Sequence, residues 1–382
     1  MKRLIGFMRV ILATAVAVLL IICCTLCVCA EEDALDGEWG SFLSGISDDV
    51  KERFPDGSFE DKDSFASAVE SMGSPEYIAK VLLDIIGIEL GSAVRLFLVF
   101  CAVLLVSAVF TSFADAHDSP MLQGAVRFCS GGALISVIAY NVYAHFGMIE
   151  DFFQKLSGTV VGMIPMSAAV WAMGGNVSTA SVGSASFSVM LGVCQALWGS
   201  TVIPVCSVLC VFCFCEAVCE EMNMSRITSA VKKIYNFILA FSMGIMLFSM
   251  SAQTAIAASA DSVSARGAKL VSGSIIPIIG GSVGETLRTV ASSVSYLKNV
   301  FGFGGIMLIA MLTLPVLVSV IMTRLVFMLS GGVAEVLGCK GEGKLLSGFD
   351  EIYGCMSAVL SGAAVMFVIA LCIFMRTVVA VA

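Results

Sequence analysis

The sequence predicts an all-α fold: a polytopic integral membrane helical bundle with re-entrant or amphipathic segments and a small exported N-terminal helical region. The 382 residues are 58% hydrophobic and only 13% charged, whereas an ordinary soluble domain is about 25% charged. The apolar residues are also gathered into runs of near 20, which is the length a helix needs to cross a bilayer.

Residues 1–30 have the features of a signal peptide. Lys2, Arg3 and Arg9 precede a long apolar stretch, and the small residues Val28-Cys29-Ala30 end it just before the acidic Glu31. An uncleaved membrane anchor is the alternative, because the apolar stretch approaches the length of a span. On either interpretation the segment that follows is exported.

Residues 31–77 form an acidic exported segment that holds most of the net charge of -8. Two sets of apolar residues at helical spacing predict two small amphipathic helices there: Trp39, Phe42, Leu43 and Ile46, then Phe65, Val69 and Met72. These helices would cover the membrane surface or the rest of the protein, or would bind an exported partner. The remaining chain is nearly neutral and has no basic patch, so nucleic acid is excluded as a partner.

Six apolar windows predict membrane helices, divided between an N-terminal set at 78–257 and a C-terminal set at 300–382. The windows are 94–113, 125–149, 187–215, 234–257, 300–322 and 354–375. A seventh, shorter window at 158–173 contains Pro165, and either re-entry or spanning fits it. Charged residues in the loops after 215 and 257 nearly cancel, so the positive-inside rule does not fix the topology of the C-terminal half.

Small residues recur every four positions on two of these helices. One stripe is Ser184, Ser188, Gly192, Ala196 and Ser200, and the other is Gly354, Ala358 and Gly362. Helices in lipid associate where small residues let their backbones approach, so both stripes predict helix packing. Contact between neighbouring spans of one chain and self-association into a homo-oligomer both fit this pattern.

Side chains typical of catalysis or metal binding are scarce. His117 and His145 stand apart from each other and from any acidic cluster at metal-ligand spacing, and no phosphate-binding loop or dinucleotide motif occurs. A run from Cys206 to Cys219 carries five cysteines on an apolar helix, where free cysteine is typically a small buried hydrophobe. We therefore expect no metal, no cofactor and no enzymatic activity.

Residues 258–299 separate the two sets of spans and combine several charged residues with glycines and a proline. The part around residues 273–281 is too short to span, holds Pro277 and is bounded by glycines, which predicts a hairpin dipping partway into the membrane. Residues 283–298 then place their apolar side chains on one helical face, as in an amphipathic helix. We expect this segment to line an aqueous path or gate, through Arg266, Lys269, Gly273, Pro277, Gly280, Gly281, Glu285, Arg288, Ser292 and Ser295. A passive interfacial connector is the alternative.

The same stretch carries a family resemblance. The residues "DSVSARGAKLVSGSIIPIIGGSVGETLRTVASSVSYLKNVFGFGGI", followed by a span with Pro315, resemble the central signature of the stage III sporulation protein AE family. The resemblance implies a membrane subunit of the channel that joins the mother cell to the engulfed forespore in endospore formation, located in the mother-cell membrane. The implied partners are the other stage III A-operon proteins, including a cytosolic ATPase, and stage II sporulation protein Q on the forespore side.

Two functional classes follow. A subunit of a channel or secretion complex fits the scarcity of catalytic residues, the exported segment and the small-residue stripes. A secondary transporter or permease is the alternative, because broken helices in corresponding halves frame the substrate sites of transporters. The segments around Pro165 and Pro277 could form such a pair, although the sequence shows no clear internal repeat. The transported molecule is not encoded in any recognisable pattern.

Overall fold

The computed structural model describes residues 36–116, 120–218, 225–275 and 280–376. The predicted signal peptide and its cleavage site lie outside these residues, as does His117. All regular structure in the described residues is helical, which confirms the predicted fold class. The helices are α1 (Asp36–Gly45), α2 (Asp48–Lys51), α3 (Lys62–Met72), α4 (Pro75–Ala116), α5 (Pro120–Met173), α6 (Val177–Cys194), α7 (Ser200–Val218), α8 (Ser225–Ile275), α9 (Gly280–Val336) and α10 (Lys340–Arg376).

Six helical stretches in these described parts are long and apolar enough to cross a membrane, so the protein is a multi-pass membrane protein. Helices α6 and α7 make one of the six, because the five-residue π-helical turn Gln195–Gly199 joins them without a break. Helices α4, α5, α8, α9 and α10 make the others. Every predicted apolar window falls inside one of the six.

The window at 158–173 does not form a span of its own. It is the last part of α5, which runs unbroken for 54 residues with Pro165 inside it. A helix of this length is about 80 Å long, whereas the hydrocarbon core is about 30 Å thick. The seven-span interpretation is therefore wrong, and α5 extends well beyond the distance that one crossing requires.

Helices α9 and α10 form the buried centre of the bundle. They run antiparallel, since Gly302 lies against Met375 at one end and Gly331 lies against Gly343 at the other. The sides of α9 are covered by α4, α5 and α3. Helices α4 and α8 lie at the periphery, where many of their large apolar side chains are exposed.

Three glycines near the start of the buried part of α9 let three different helices approach it. A Cβ atom on Gly302 would lie 2.3 Å from Met375 of α10, one on Gly304 would lie 2.5 Å from Phe65 of α3, and one on Gly305 would lie 2.0 Å from Met163 of α5. Real Cβ atoms do not come this close to other atoms, so a larger residue at any of the three positions would displace the facing side chain. The sequence "GFGG" is thus a point where three helices contact the central helix closely.

The N-terminal residues 36–74, called the head below, pack on the bundle. Both predicted amphipathic helices are present as α1 and α3, and their apolar faces are buried in the protein. Phe42 and Phe65 contact Phe301 of α9, with ring centroids 5.9 and 6.1 Å apart. Helix α1 crosses α5 where Gly45 meets two glycines of that helix. The apolar residues of the head are therefore used within the chain.

The first turn of α6 is held by a side chain from another helix. Asp261 of α8 is 5% exposed and accepts hydrogen bonds from the backbone N–H groups of Ser178 and Thr179, at 2.9 and 2.8 Å, and from the Thr179 hydroxyl at 2.7 Å. The first N–H groups of a helix lack partners within the helix, and a carboxylate there also interacts favourably with the helix dipole. Asp261 therefore fixes the C-terminal part of α8 against the start of α6.

We expect Asp261→Ala to destabilise this junction by about 2 kcal/mol, because it leaves buried N–H groups without an acceptor. Hydrogen exchange should accelerate at the amides of Ser178 and Thr179, with little change in the α9–α10 pair. Ser259→Ala is the matched control, since its exposed hydroxyl bonds only its own helix. Unchanged exchange at both amides in Asp261→Ala would show that the carboxylate does not hold the turn.

Candidate functional site

The predicted path segment joins the ends of two long helices. Residues 258–275 continue α8 and residues 280–299 open α9, while Pro277 lies outside the described residues. The side chains of Arg266, Lys269, Glu285 and Arg288 lie outside them as well, so the hairpin and the path-lining role stay predictions. In the part of 283–298 whose side chains are described, Ser292 is exposed and Ser295 is half-buried, while Val294, Leu297 and the charged Lys298 are all buried. The amphipathic helix therefore stays a prediction.

The first small-residue stripe does not pack within the chain. Ser188, Gly192, Ala196 and Ser200 are exposed and Ser184 is half-buried, and a Cβ atom on Gly192 would meet nothing within 4 Å. Helix α6 instead buries the opposite face, which carries the bulky Phe187 and Met190. The interpretation of this stripe as contact between neighbouring spans is therefore wrong for the described residues.

The second stripe is divided between two environments. Gly354 lies under the guanidinium of Arg324 on α9, and Gly362 lies under the Trp198 indole, where a Cβ atom would come within 2.5 Å. Ala358, between them, is exposed. The two glycines thus serve packing within the chain.

A polar cluster lies inside the bundle around His145 of α5, whose exposure is 6%. Its Nε2 atom lies 3.4 Å from the Ser319 hydroxyl and 3.3 Å from the Thr323 hydroxyl, both on α9. Its Nδ1 atom lies 2.8 Å from its own helix, at the Asn141 carbonyl, and 3.2 Å from the hydroxyl of Tyr353 on α10. One imidazole thus connects the three most central spans.

These contacts determine the neutral tautomer of His145. A backbone carbonyl can only accept a hydrogen bond, so Nδ1 carries the proton and Nε2 accepts from a hydroxyl. On protonation, Nε2 would donate to the same hydroxyl oxygens instead, because Ser and Thr hydroxyls both donate and accept. Each protonation state has partners in this cluster. Ionisable residues inside spans are energetically costly and typically functional. His145 is therefore the strongest candidate for a functional side chain in the described bundle.

An ion pair lies beside this cluster. Arg324 of α9 and Asp350 of α10 are joined by a hydrogen bond of 2.9 Å from Nε to Oδ1, and their side chains are 16% and 12% exposed. A charge of either sign is costly at this depth, and the partner offsets much of that cost. The pair fixes the rotation of α9 against α10 at the level of Gly354.

The head reaches the same central helix through Arg53. Its guanidinium donates to the carbonyl oxygen of Met311 at 2.9 Å. This carbonyl lies four residues before Pro315, which has no N–H group to donate to it. Arg53 therefore supplies the hydrogen bond that the proline removes from α9.

A second polar contact of the head is electrostatic. Lys155 of α5 bonds both Asp49 of the head and Asp151 of its own helix. The hydrogen bond from Lys155 is the main reason that the pKa of Asp49 lies below its ordinary value. The resulting stabilisation is present at pH values above the ordinary Asp pKa of about 4 and is lost as the pH falls through the lowered value. It is small, because Asp49 is largely exposed.

Sequence reasoning missed the polar cluster because its members are far apart in the chain. Tyr353 and Thr323 lie 208 and 178 positions from His145, so no local spacing relates them. The available signal was an ionisable residue inside each of three apolar windows or at their edges: His145, Arg324 and Asp350. The described residues contain no group of three side chains placed to hold a metal ion.

Comparison with known proteins agrees with the architecture. Residues 63–378 match the family described as Stage III sporulation protein AE, a range that begins at the second residue of α3 and ends beyond α10. The chain belongs to the stage III sporulation protein AE family. A curated relative, the stage III sporulation protein AE of Bacillus subtilis (strain 168), is 20% identical over 240 residues. This stretch covers 63% of the chain and 59% of the relative.

The chain thus spans about three fifths of the length of that relative. No solved structure matches it. Membership in the stage III AE family supports a role in sporulation and a place among other sporulation proteins. The glycines Gly302, Gly304 and Gly305, where α10, α3 and α5 approach α9, fall inside the stretch that resembles the family signature.

Proposed function

We propose that this protein is a non-enzymatic membrane subunit of the channel or secretion complex between the mother cell and the forespore. It acts in the mother-cell membrane, with the other stage III A-operon proteins, their cytosolic ATPase and stage II sporulation protein Q as partners. Membership in the stage III sporulation protein AE family supports a role in sporulation. The small-residue stripe on the span made of α6 and α7 is the observation that carries the role of a subunit, because the described residues leave this face uncovered.

The exposed stripe favours assembly with another protein for a physical reason. A helix interface in lipid depends on close packing, and small side chains allow it. Such a surface lies on one span, at Ser188, Gly192, Ala196 and Ser200, and the helices that the structure describes do not cover it. Within this proposal the segment 258–299 lines or gates the path, since its sequence combines charged residues with glycines and Pro277 between two sets of spans.

We expect Gly192→Leu to weaken the assembly by about 1 to 2 kcal/mol while leaving the isolated subunit folded, because Gly192 touches nothing within its own chain. The measurement is co-purification of the other stage III A-operon proteins from sporulating cells, with the thermal midpoint of the isolated subunit recorded in parallel. Val211→Phe is the control, since Val211 is 55% exposed on the same span but lies outside the stripe. Equal loss of partners in both variants would contradict a privileged interface.

A secondary transporter is the second candidate, and the buried His145 cluster is the observation that favours it, because such residues relay protons in transporters. The structure of α5 counts against a transporter. Its helix is continuous through Pro165, so the segments around Pro165 and Pro277 cannot both be broken helices. Solute flux by the purified protein in vesicles separates the candidates. A transporter mediates flux alone, whereas a subunit requires its partners.

A further inference from the structure

The central helix α9 contains a proline between two sets of contacts. Pro315 lies inside α9 and has no N–H group to donate to the carbonyl oxygen of Met311. Its ring also crowds that carbonyl, which is why helices commonly bend at prolines. The backbone hydrogen bonds of α9 are therefore interrupted between Met311 and Pro315, a point called the proline break below.

Different partners hold α9 on the two sides of the proline break. On the side of the head, Phe301 contacts two aromatic rings of the head. On the other side, Ser319 and Thr323 contact the imidazole of His145, and Arg324 of the buried ion pair follows them. The proline break thus separates the part of α9 that receives the head from the part that contacts the polar cluster.

Arg53 connects the head to the proline break itself. Its guanidinium donates to the Met311 carbonyl oxygen at 2.9 Å, and Met311 is only 3% exposed, so protein surrounds this carbonyl. A hydrogen bond from a charged donor is stronger than one from a neutral donor. The hydroxyl of Tyr77, in the first turn of α4, donates to the Arg53 carbonyl oxygen at 3.0 Å. The position of Arg53 therefore depends on the docked head and on the start of α4.

We propose that the head acts as a latch on α9: the docked head holds this helix in one conformation through Arg53, and an undocked head lets it loosen at Pro315. With the head docked, the guanidinium replaces the missing backbone donor, and the polar cluster around His145 keeps its contacts with α9. With the head undocked, the Met311 carbonyl loses its donor, and the part of α9 beyond the proline break becomes more mobile. The coupling is reciprocal, so a change in the polar cluster also changes the docking of the head. This inference goes beyond the proposed function, since it concerns the subunit alone.

The test is hydrogen exchange, read by mass spectrometry, in the full-length protein in nanodiscs. Arg53→Met keeps a long side chain but removes the donors. It should accelerate exchange at the amides of residues 316–324 about tenfold, the scale of a lost hydrogen bond to a charged group. Lys51→Met is the matched control, because it removes a neighbouring positive charge whose partner, Asp48, lies within the head.

Two further variants separate the latch from a general loosening of the head. Pro315→Ala restores a backbone N–H group that can donate to the Met311 carbonyl, so Arg53→Met should have little further effect on exchange in that background. Gly45→Leu should detach the head, because a Cβ atom there would lie 2.5 Å from the Gly158 carbonyl oxygen. It should accelerate the same amides of α9 as Arg53→Met does.

Four outcomes would overturn the proposal. Unchanged exchange at residues 316–324 in Arg53→Met would remove the role of the guanidinium, and equal acceleration by Lys51→Met would assign the effect to the charge of the head. An equal effect of Arg53→Met with and without Pro315 would show that it does not act through the Met311 carbonyl. Wild-type exchange in α9 after Gly45→Leu has detached the head would show that the head is no latch, and this comparison holds even if Pro315→Ala fails to fold.

Discussion

Asp350→Ala is expected to destabilise the bundle by about 3 to 5 kcal/mol, the largest effect of any single substitution considered for this protein. Removal of the carboxylate leaves the guanidinium of Arg324 without its partner between α9 and α10. Gly354 adjoins the same guanidinium, so the arginine has little space in which to move away. The measurement is the thermal midpoint in detergent, together with the amount of protein in membranes.

Two variants make this test specific. Glu351→Ala removes the neighbouring acid, which is 40% exposed and lies 3.8 Å from Lys232, so a loss of no more than about 1 kcal/mol is expected. The double variant Arg324→Met, Asp350→Met should recover most of the stability, because it removes both charges together. Equal destabilisation by Asp350→Ala and Glu351→Ala would mean that burial of the pair is unimportant.

Gly45→Leu is expected to detach the head from the bundle, at a cost of about 3 kcal/mol, the upper end for inserting atoms into a packed contact. A Cβ atom at this position would lie 2.5 Å from the Gly158 carbonyl oxygen and 3.0 Å from the Gly162 Cα atom. Both contacts are with backbone, so no side-chain rotation relieves them. Tryptic cleavage after Lys51 and Arg53 should accelerate, because a detached head exposes this stretch.

Gly40→Leu is the matched control for this prediction, since it lies on the same helix α1 and its Cβ atom would meet nothing within 4 Å. It should leave tryptic cleavage close to the wild-type rate. Slow cleavage in Gly45→Leu as well would show that the contact of three glycines does not hold the head in place.

The spans were predictable from the sequence because insertion into lipid requires runs of near 20 apolar residues, and such runs are local. The full lengths of the helices could not be predicted in this way. Helix α5 continues through Pro165 for 54 residues, and its polar stretch around Asp151 gives no apolar signal, although Asp49 of the head and Lys155 stabilise it there. A helix packed against protein does not need lipid to persist.

The small-residue stripes show a second limit of prediction from the sequence. Spacing correctly placed Ser188, Gly192 and Ala196 on one face, because helical periodicity is a local property. It could not indicate what covers that face, since this depends on which of two opposite faces of α6 turns inward. The face of α6 that carries bulky side chains such as Phe187 turns inward, because these side chains fill the interior of the bundle. Likewise, the partners of His145 come from α9 and α10 and could be identified only in three dimensions.

The hydrogen bond from Arg53 to Met311 has a consequence for the order of events during synthesis. Its two residues are 258 positions apart, and a ribosome adds about 5 to 20 residues per second. The Met311 carbonyl is therefore made roughly 10 to 50 seconds after Arg53, whereas the α5 glycines that Gly45 contacts are made much earlier. A chain that stops before α9 could still place its head on α5 through Gly45, but it would lack Phe301 and the Met311 carbonyl, so the head would be held at only one of its two contacts.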